Sequence, residues 1–396
     1  MLRMGWLSSL FQSSKKKPRR RKYEGASKSQ RLRRWRTQST SANSEVASGL
    51  STLRNRSRDL RRNNSYAAKG IQVIGSNVVG HGIRTQFRGQ QDAPGIETPI
   101  ETMWKNWAHT KNIDYDGRHN IFGLQRLVME AVAESGEVLL RKRFDSSLEF
   151  PLQYQVLESD FLDTTLTIPA ANGGQIIQGI EFDRQGKRVA YHLWESHPGG
   201  QDQDFFIPTL KSNRVPADEV FHIYRMDRPG QARGVPWLAP VIVRLKDLDD
   251  YEDAQLMRQK IAACFTAFVR DIGPDITDQD EDCGDDLGDK IEPALIEHLP
   301  PGKTIEFADP PTVENYKEYV TTVLHGIAAG LGVTYEALTG DLSNVNFSSG
   351  RMGWLEFQRN IETWRQHIIF AHLLDPIVED FQRFGSVMGL NFQNVT

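Results

Sequence analysis

Residues 312–351 read TVENYKEYVTTVLHGIAAGLGVTYEALTGDLSNVNFSSGR, and this stretch decides the architecture. Tyr316, Tyr319, Val320, Val323, Leu324, Ile327, Ala328 and Leu331 recur at three- and four-residue steps, which places them on one face of an α-helix from Thr312 to Leu331. Thr312, behind Pro310-Pro311, is a natural N-cap, and Gly330 and Gly332 are natural stops. From Val333 to Arg351 the chain turns to small hydrogen-bonding residues, without His, Cys or Lys. A second long helix is expected from Ser349, stacking Trp354, Phe357, Ile361, Trp364 and Ile368 until Pro376 kinks or interrupts it. A loop of this length between helices is functional or disordered, and its side chains suit touching a partner rather than cutting one.

Upstream, LRNRSRDLRRNN around residues 53–64 is helix-competent, and an ordered body begins at Ala67. Leu124, Leu127, Val128, Ala131 and Val132 place a helix over Ile121–Ser135 with those residues on one side. After Gly136 the period changes to two. Val138-Leu140, Leu152-Leu157, Gly179-Phe182, Val189-Trp194 and Val220-Tyr224 read as strands, with Asp183-Arg184-Gln185-Gly186 as a hairpin turn. The fold class is therefore α+β with an antiparallel sheet. From Pro236 to Arg270 the pattern is helical again, with Leu245, Leu248, Ile261, Phe265 and Val269 apolar and Pro240 at or just before the first turn. An acidic, proline-marked insert follows. Its stretch 271–290 holds nine acids against one lysine.

The net charge of −3 conceals a partition. Residues 1–62 carry 18 Lys+Arg against 3 Asp+Glu, leaving 30 against 48 for the rest. The basic arm contains Lys15, Lys16, Lys17, Arg19, Arg20 and Arg21, then Arg33, Arg34 and Arg36 around Trp35. Such an arm binds a polyanion or is a solvated tail, and Trp35 favours contact because an indole stacks on a base. The apolar residues of MLRMGWLSSLF precede the basic run, the reverse of a secretory signal. The two cysteines, Cys264 and Cys283, do not make a disulfide framework, which points to a reducing compartment. The longest uncharged stretch, Tyr319–Tyr335, is too short and polar to span a membrane.

Motifs of catalysis do not assemble. Leu299-Pro300-Pro301-Gly302-Lys303-Thr304 ends like a phosphate-binding loop, but Glu297 stands where its leading glycine belongs and a strand pattern follows the lysine. Asp278, Asp280 and Asp282 have calcium-loop spacing, yet Cys283 occupies the position that requires glycine. The ten histidines do not fall at ligand spacing. Glu158, Asp160 and Asp163 are the carboxylates a Mg²⁺-dependent DNA-modifying enzyme would use, and a monomeric nucleic-acid-binding scaffold is a further alternative. No cofactor and no enzymatic activity are expected.

Four ordered stretches, LRNRSRDLRRNNSYAAKGIQVIGSNVVGHGI at 53–83, GIEFDRQGKRVAYHLW at 179–194, GQARGVPWLAP at 230–240 and HGIAAGLGVTYEALTGDLSNVNFSSGR at 325–351, resemble the lambda-type family of phage portal proteins. The resemblance implies a head-tail connector subunit: a basic arm at 1–50, an α+β wing at 51–235, stem helices at 236–270 and 312–334, and a clip at 271–311. It further implies a channel loop at 335–348 and a long kinked helix at 349–396 that begins the crown. About twelve copies would form a ring at one capsid vertex, assembled in the host cytoplasm, through which double-stranded DNA is packaged, retained and ejected. The implied partners are the chain itself, that DNA, the terminase large subunit, the major capsid protein or scaffold, and a head-completion or tail adaptor protein. The channel loop would present Ser343, Asn344, Asn346, Ser348, Ser349 and Arg351 to DNA. The clip would present Asp278, Asp280, Glu281, Asp282, Asp285 and Asp286 to terminase or adaptor. Uncharged amides and hydroxyls make exchangeable bonds to passing phosphates, whereas a cationic clamp would bring salt-dependent affinity and friction.

Overall fold

The computed structural model describes residues 26, 30–35, 37–87, 98–199, 211–263, 267–271, 303–307, 315–343 and 345–392. The chain divides into a unit of residues 1–41 and a unit of residues 42–396. In the first, a 3₁₀ turn spans Gln30–Leu32, and Arg33, Arg34 and Trp35 are exposed.

The second unit begins with α1 (Ala42–Ala47), α2 (Leu50–Asn63) and α3 (Ser65–Val78). Asn64 separates the last two because its backbone is extended; its side chain accepts from the Ala67 N–H at 2.8 Å and donates to Asp249 at 2.7 Å. α4 (Pro99–Ala108) starts with a reciprocal capping box between Thr98 and Glu101. It delivers Trp104 and Trp107 into an aromatic core with Phe87, Phe150 and Phe381. α5 (Ile121–Ser135) is capped by Asn120 and ends at Gly136, whose φ of 89° favours glycine.

Between Gly136 and Tyr224 lie two antiparallel sheets. β1 (Glu137–Phe144) pairs with β2 (Leu152–Glu158) on one side and, on the other, with the later strand Val220–Tyr224. A five-stranded meander runs in chain order through β3 (Ile168–Pro169), β4 (Gln175–Ile177), β5 (Ile180–Phe182), β6 (Arg188–Trp194) and β7 (Ser212–Pro216). The strand that closes the smaller sheet, Val220–Tyr224, is β8. The turn at 183–186 forms because the Asp183 carboxylate accepts from the Gln185 and Lys187 N–H groups and Gly186 takes a φ of 82°.

After β8 the described chain is helical apart from one strand pair, and here the sequence reading is corrected in four places. α6 runs over Ile242–Ala263, not 236–270; residues 267–271 are instead β9 (Ala267–Asp271), antiparallel to β10 (Lys303–Phe307). The apolar i, i+4 spacing of 261, 265 and 269 suits strand alternation equally well, and Phe268-Val269 favour it. α7 covers Tyr316–Leu331, and Asn315 in the left-handed conformation closes its start; Thr312 lies outside the described residues. Part of the loop folds as α8 (Tyr335–Thr339), and α9 (Phe347–Trp364) begins two residues early. The interruption expected at Pro376 is a π-helical stretch, Arg365–Leu374, leading into α10 (Asp375–Val387); the Asp375 N–H reaches Phe370 O, five residues back. Leu127 of α5 is 39% exposed and borders a cleft of about 310 Å³.

Two apolar cores hold these elements together. Ile71, Ile74, Leu124, Val128, Leu140, Leu245, Ile327, Leu331, Ile369 and Phe381 belong to the larger, and Leu139, Ile180, Tyr191, Leu193 and Val215 to a smaller one lined by the meander. Also buried is a charge cluster that no local sequence pattern announces. Glu137 accepts from Arg54 at 2.8 Å, from both nitrogens of the Arg233 fork and from the Gly234 N–H at 2.8 Å. His222 stands 2.9 Å from the same carboxylate. Burial pushes the Glu137 carboxyl up, but Arg233, His222 and Arg54 outweigh it and hold it well below the usual range. Burial likewise pushes His222 down to about 4, against the pull of Glu137, so the ring is neutral near pH 7 and donates to Glu137.

Acid therefore loosens the fold through both groups. Each has a folded pKa below its unfolded one, so each contributes stability above the unfolded value and loses it as pH falls. His222 acts first, between its ordinary 6.5 and about 4, with a total loss of about 3 kcal/mol. The stability of His222→Gln, measured by urea titration, should fall less steeply across that window than that of the parent. An unchanged slope would contradict the assignment.

Candidate functional site

The polar segment joins two helices through a folded footing. α7 stops where Gly332 turns with a φ of 72°, its N–H bonded back to the Ala328 and Ala329 carbonyls. Thr334 then accepts from the Ala337 N–H at 3.2 Å and starts α8, which Gly340 ends with a φ of 77°. Leu338 of α8 is buried and sits on α3 at Gly70, where a Cβ would stand 2.7 Å from Leu331 and 3.5 Å from Leu338. The open loop is therefore Gly340–Asn346, shorter than the expected 335–348.

Of the expected channel residues, Ser343 and Asn346 lie on this loop and are exposed, and Asn344 falls outside the described residues. Ser348, Ser349 and Arg351 belong to the first turns of α9, with Ser348 and Arg351 exposed. The described candidates thus come from two kinds of backbone, open loop and helix start. Asp341 is the open loop's one acidic residue. It accepts from the Ser343 N–H at 3.0 Å, which holds its carboxyl below the ordinary range. Leu342 and Met352 stand out from the same region, 67% and 72% exposed.

The remaining candidates are scattered. Arg33 and Arg34 are exposed in the N-terminal unit; Lys15, Lys16, Lys17, Arg19, Arg20, Arg21 and Arg36 lie outside the described residues, as do Asp278, Asp280, Glu281, Asp282, Asp285 and Asp286. Lys303 and Thr304 are on β10, a strand where a phosphate loop needs a helix start. Glu158 and Asp160 do come together, joined by His197. Arg58 already bridges the two carboxylates, at 2.9 and 2.6 Å, and Arg54 is 3.7 Å from Asp160. Those guanidinium groups already neutralise the two carboxylates. Asp163 is directed elsewhere, to Thr165 and Ser212.

A second buried cluster escaped the sequence reading. Asp380 of α10 accepts from Lys142 of β1, Tyr154 of β2 and Arg383, so the helix beyond the π stretch is tied to the smaller sheet. Burial, reinforced by Asp380, pushes the Tyr154 hydroxyl well above its usual range. Among the described residues no helix is long and apolar enough to cross a membrane.

The model of the phage portal protein, lambda family, matches residues 28–365, and the chain belongs to that family. A probable portal protein of Halomonas phage phiHAP-1 is 30% identical over 354 residues, covering 86% of this chain and 67% of that protein. Portal protein B of Escherichia phage lambda is 24% identical over 357 residues, covering 81% and 66%. The chain thus spans about two thirds of the length of these relatives. Among solved structures, a chain from the virion of a native gene transfer agent particle aligns with a TM-score of 0.49 at 12% identity, covering 86% of this chain and 89% of that one. That likeness is too distant to carry an argument about function.

Proposed function

We propose that copies of this chain close head to tail into a ring, about twelve in the virion, at one vertex of a phage capsid, and that duplex DNA passes through the hole. The observation that carries this reading is the family match across residues 28–365. In this assignment α6 and α7 form the stem, β9 and β10 stand at the base of the clip, and the two sheets with α2–α5 form the wing. The strip Ser343, Asn344, Asn346, Ser348, Ser349 and Arg351 faces the channel. Its hydroxyls and amides touch phosphates weakly, and the start of α9 adds partial positive charge without a fixed clamp. The acidic insert, repeated around a ring, concentrates negative potential that repels DNA from the wall and attracts basic faces of a terminase or adaptor. The ring also nucleates capsid assembly through contacts with capsid protein or scaffold.

The subunit supplies no chemistry in this reading; energy for DNA movement comes from ATP hydrolysis by the terminase. Arg58 between Glu158 and Asp160 supports that view. Linear duplex DNA incubated with the purified protein and Mg²⁺ is expected to stay intact. Cleavage that disappears on chelation would restore the metalloenzyme reading.

A further inference from the structure

Gly340–Asn346 is held at its first residues by a chain of contacts that begins on α7. The Tyr335 ring stacks on His325, centroids 4.2 Å apart and 23° from parallel. The Tyr335 hydroxyl points forward and donates to one Asp341 carboxylate oxygen at 3.3 Å. The other oxygen accepts from the Ser343 N–H at 3.0 Å, while the Asp341 N–H donates to the Thr339 hydroxyl at 3.1 Å. Asp341 thus joins a footing fixed by Leu338 to the first exposed residues of the loop. At the far end, Val345 lies against α9, where a Cβ on Gly350 would come within 2.7 Å of it.

We propose that Tyr335 is a positioning residue for the DNA-facing loop: through Asp341 it aims Leu342 and Ser343, and release of this latch lets the loop swing. The proposal rests on the reading that residues 340–346 face DNA. A turn of this length stabilised only by its own backbone bonds would not need a side chain from the preceding helix. Here the tyrosine ring is immobilised on α7 and its hydroxyl is spent on the loop. The latch carries the position of α7 to the loop without any contact to DNA.

The test is a spin label at Leu342→Cys in assembled rings, with Cys264→Ser and Cys283→Ser to keep the label unique. Tyr335→Phe keeps the stack on His325 and removes only the hydroxyl. It should raise the mobile fraction of the label about fivefold, the effect of one ordinary hydrogen bond, while the melting midpoint stays at the parental value. In an Asp341→Ala background the same substitution should add nothing, because the partner is already gone. A Tyr335→Phe label as immobile as the parent's, or an equal increase in both backgrounds, overturns the latch. If the label loosens but particles package and retain DNA as the parent does, the latch stands and the DNA-facing reading of the loop falls.

Discussion

Rings in which residues 341–346 are replaced by a short Gly-Ser link should assemble normally, yet particles built on them should lose packaged DNA. Each loop contributes hydrogen bonds worth about 0.5–1.5 kcal/mol net, and a ring of about twelve loops multiplies them. Losing two or three such contacts, about 1–4.5 kcal/mol in all, changes retention by about fivefold or more, since about 1.4 kcal/mol is a factor of ten. The cut has to spare Leu338. That side chain is buried against α3, and truncating it costs about 2–5 kcal/mol, which would confuse a folding defect with a channel defect. Packaging efficiency and DNA retention in particles, compared with ring yield, provide the measurement. Equal packaging and retention with and without the loop would contradict its assignment to the channel.

Glu137→Ala should have the largest effect on the subunit itself. Arg54 and Arg233 are buried to 3% and 0% side-chain exposure, and both direct their guanidinium groups at this carboxylate. Without it two positive charges remain in a site with little water, at a cost of about 3–5 kcal/mol. A domain of ordinary stability has only about 5–15 kcal/mol to lose. The carboxylate also joins separate parts of the chain: Arg54 comes from α2, His222 from β8, and Arg233 and Gly234 from the approach to α6. Its loss should lower the urea midpoint and reduce the supply of assembly-competent subunits. A fall in stability below about 1 kcal/mol would mean that water reaches the site and replaces the lost partner.

Much of this architecture is legible locally. The period-two stretch after Gly136 and the Asp-Arg-Gln-Gly turn specify a hairpin because alternation and turn chemistry agree at those residues. Ile121–Ser135 is equally plain, with an Asn cap before it and a left-handed glycine after it. What could not be read depends on distant neighbours. Val269 fits a helix or a strand, and only pairing with Lys303–Phe307 decides the matter. Tyr335–Thr339 looks like loop because five residues seldom make a stable helix alone; Leu338 against Gly70 supplies the missing support. Glu137 and Asp380 carry no local pattern that marks them as buried, and their cationic partners lie up to 238 residues away. The candidate site itself was legible as a polar interval between helices, but its division into footing, open loop and helix start was not.

The central claim is closure of many identical subunits around a hole. Native mass measurement of the purified protein under assembly-promoting conditions tests it most directly. About twelve copies of a 45.0 kDa chain predict a particle of roughly 540 kDa. Single copies of 45.0 kDa at every concentration and salt condition tried would contradict it.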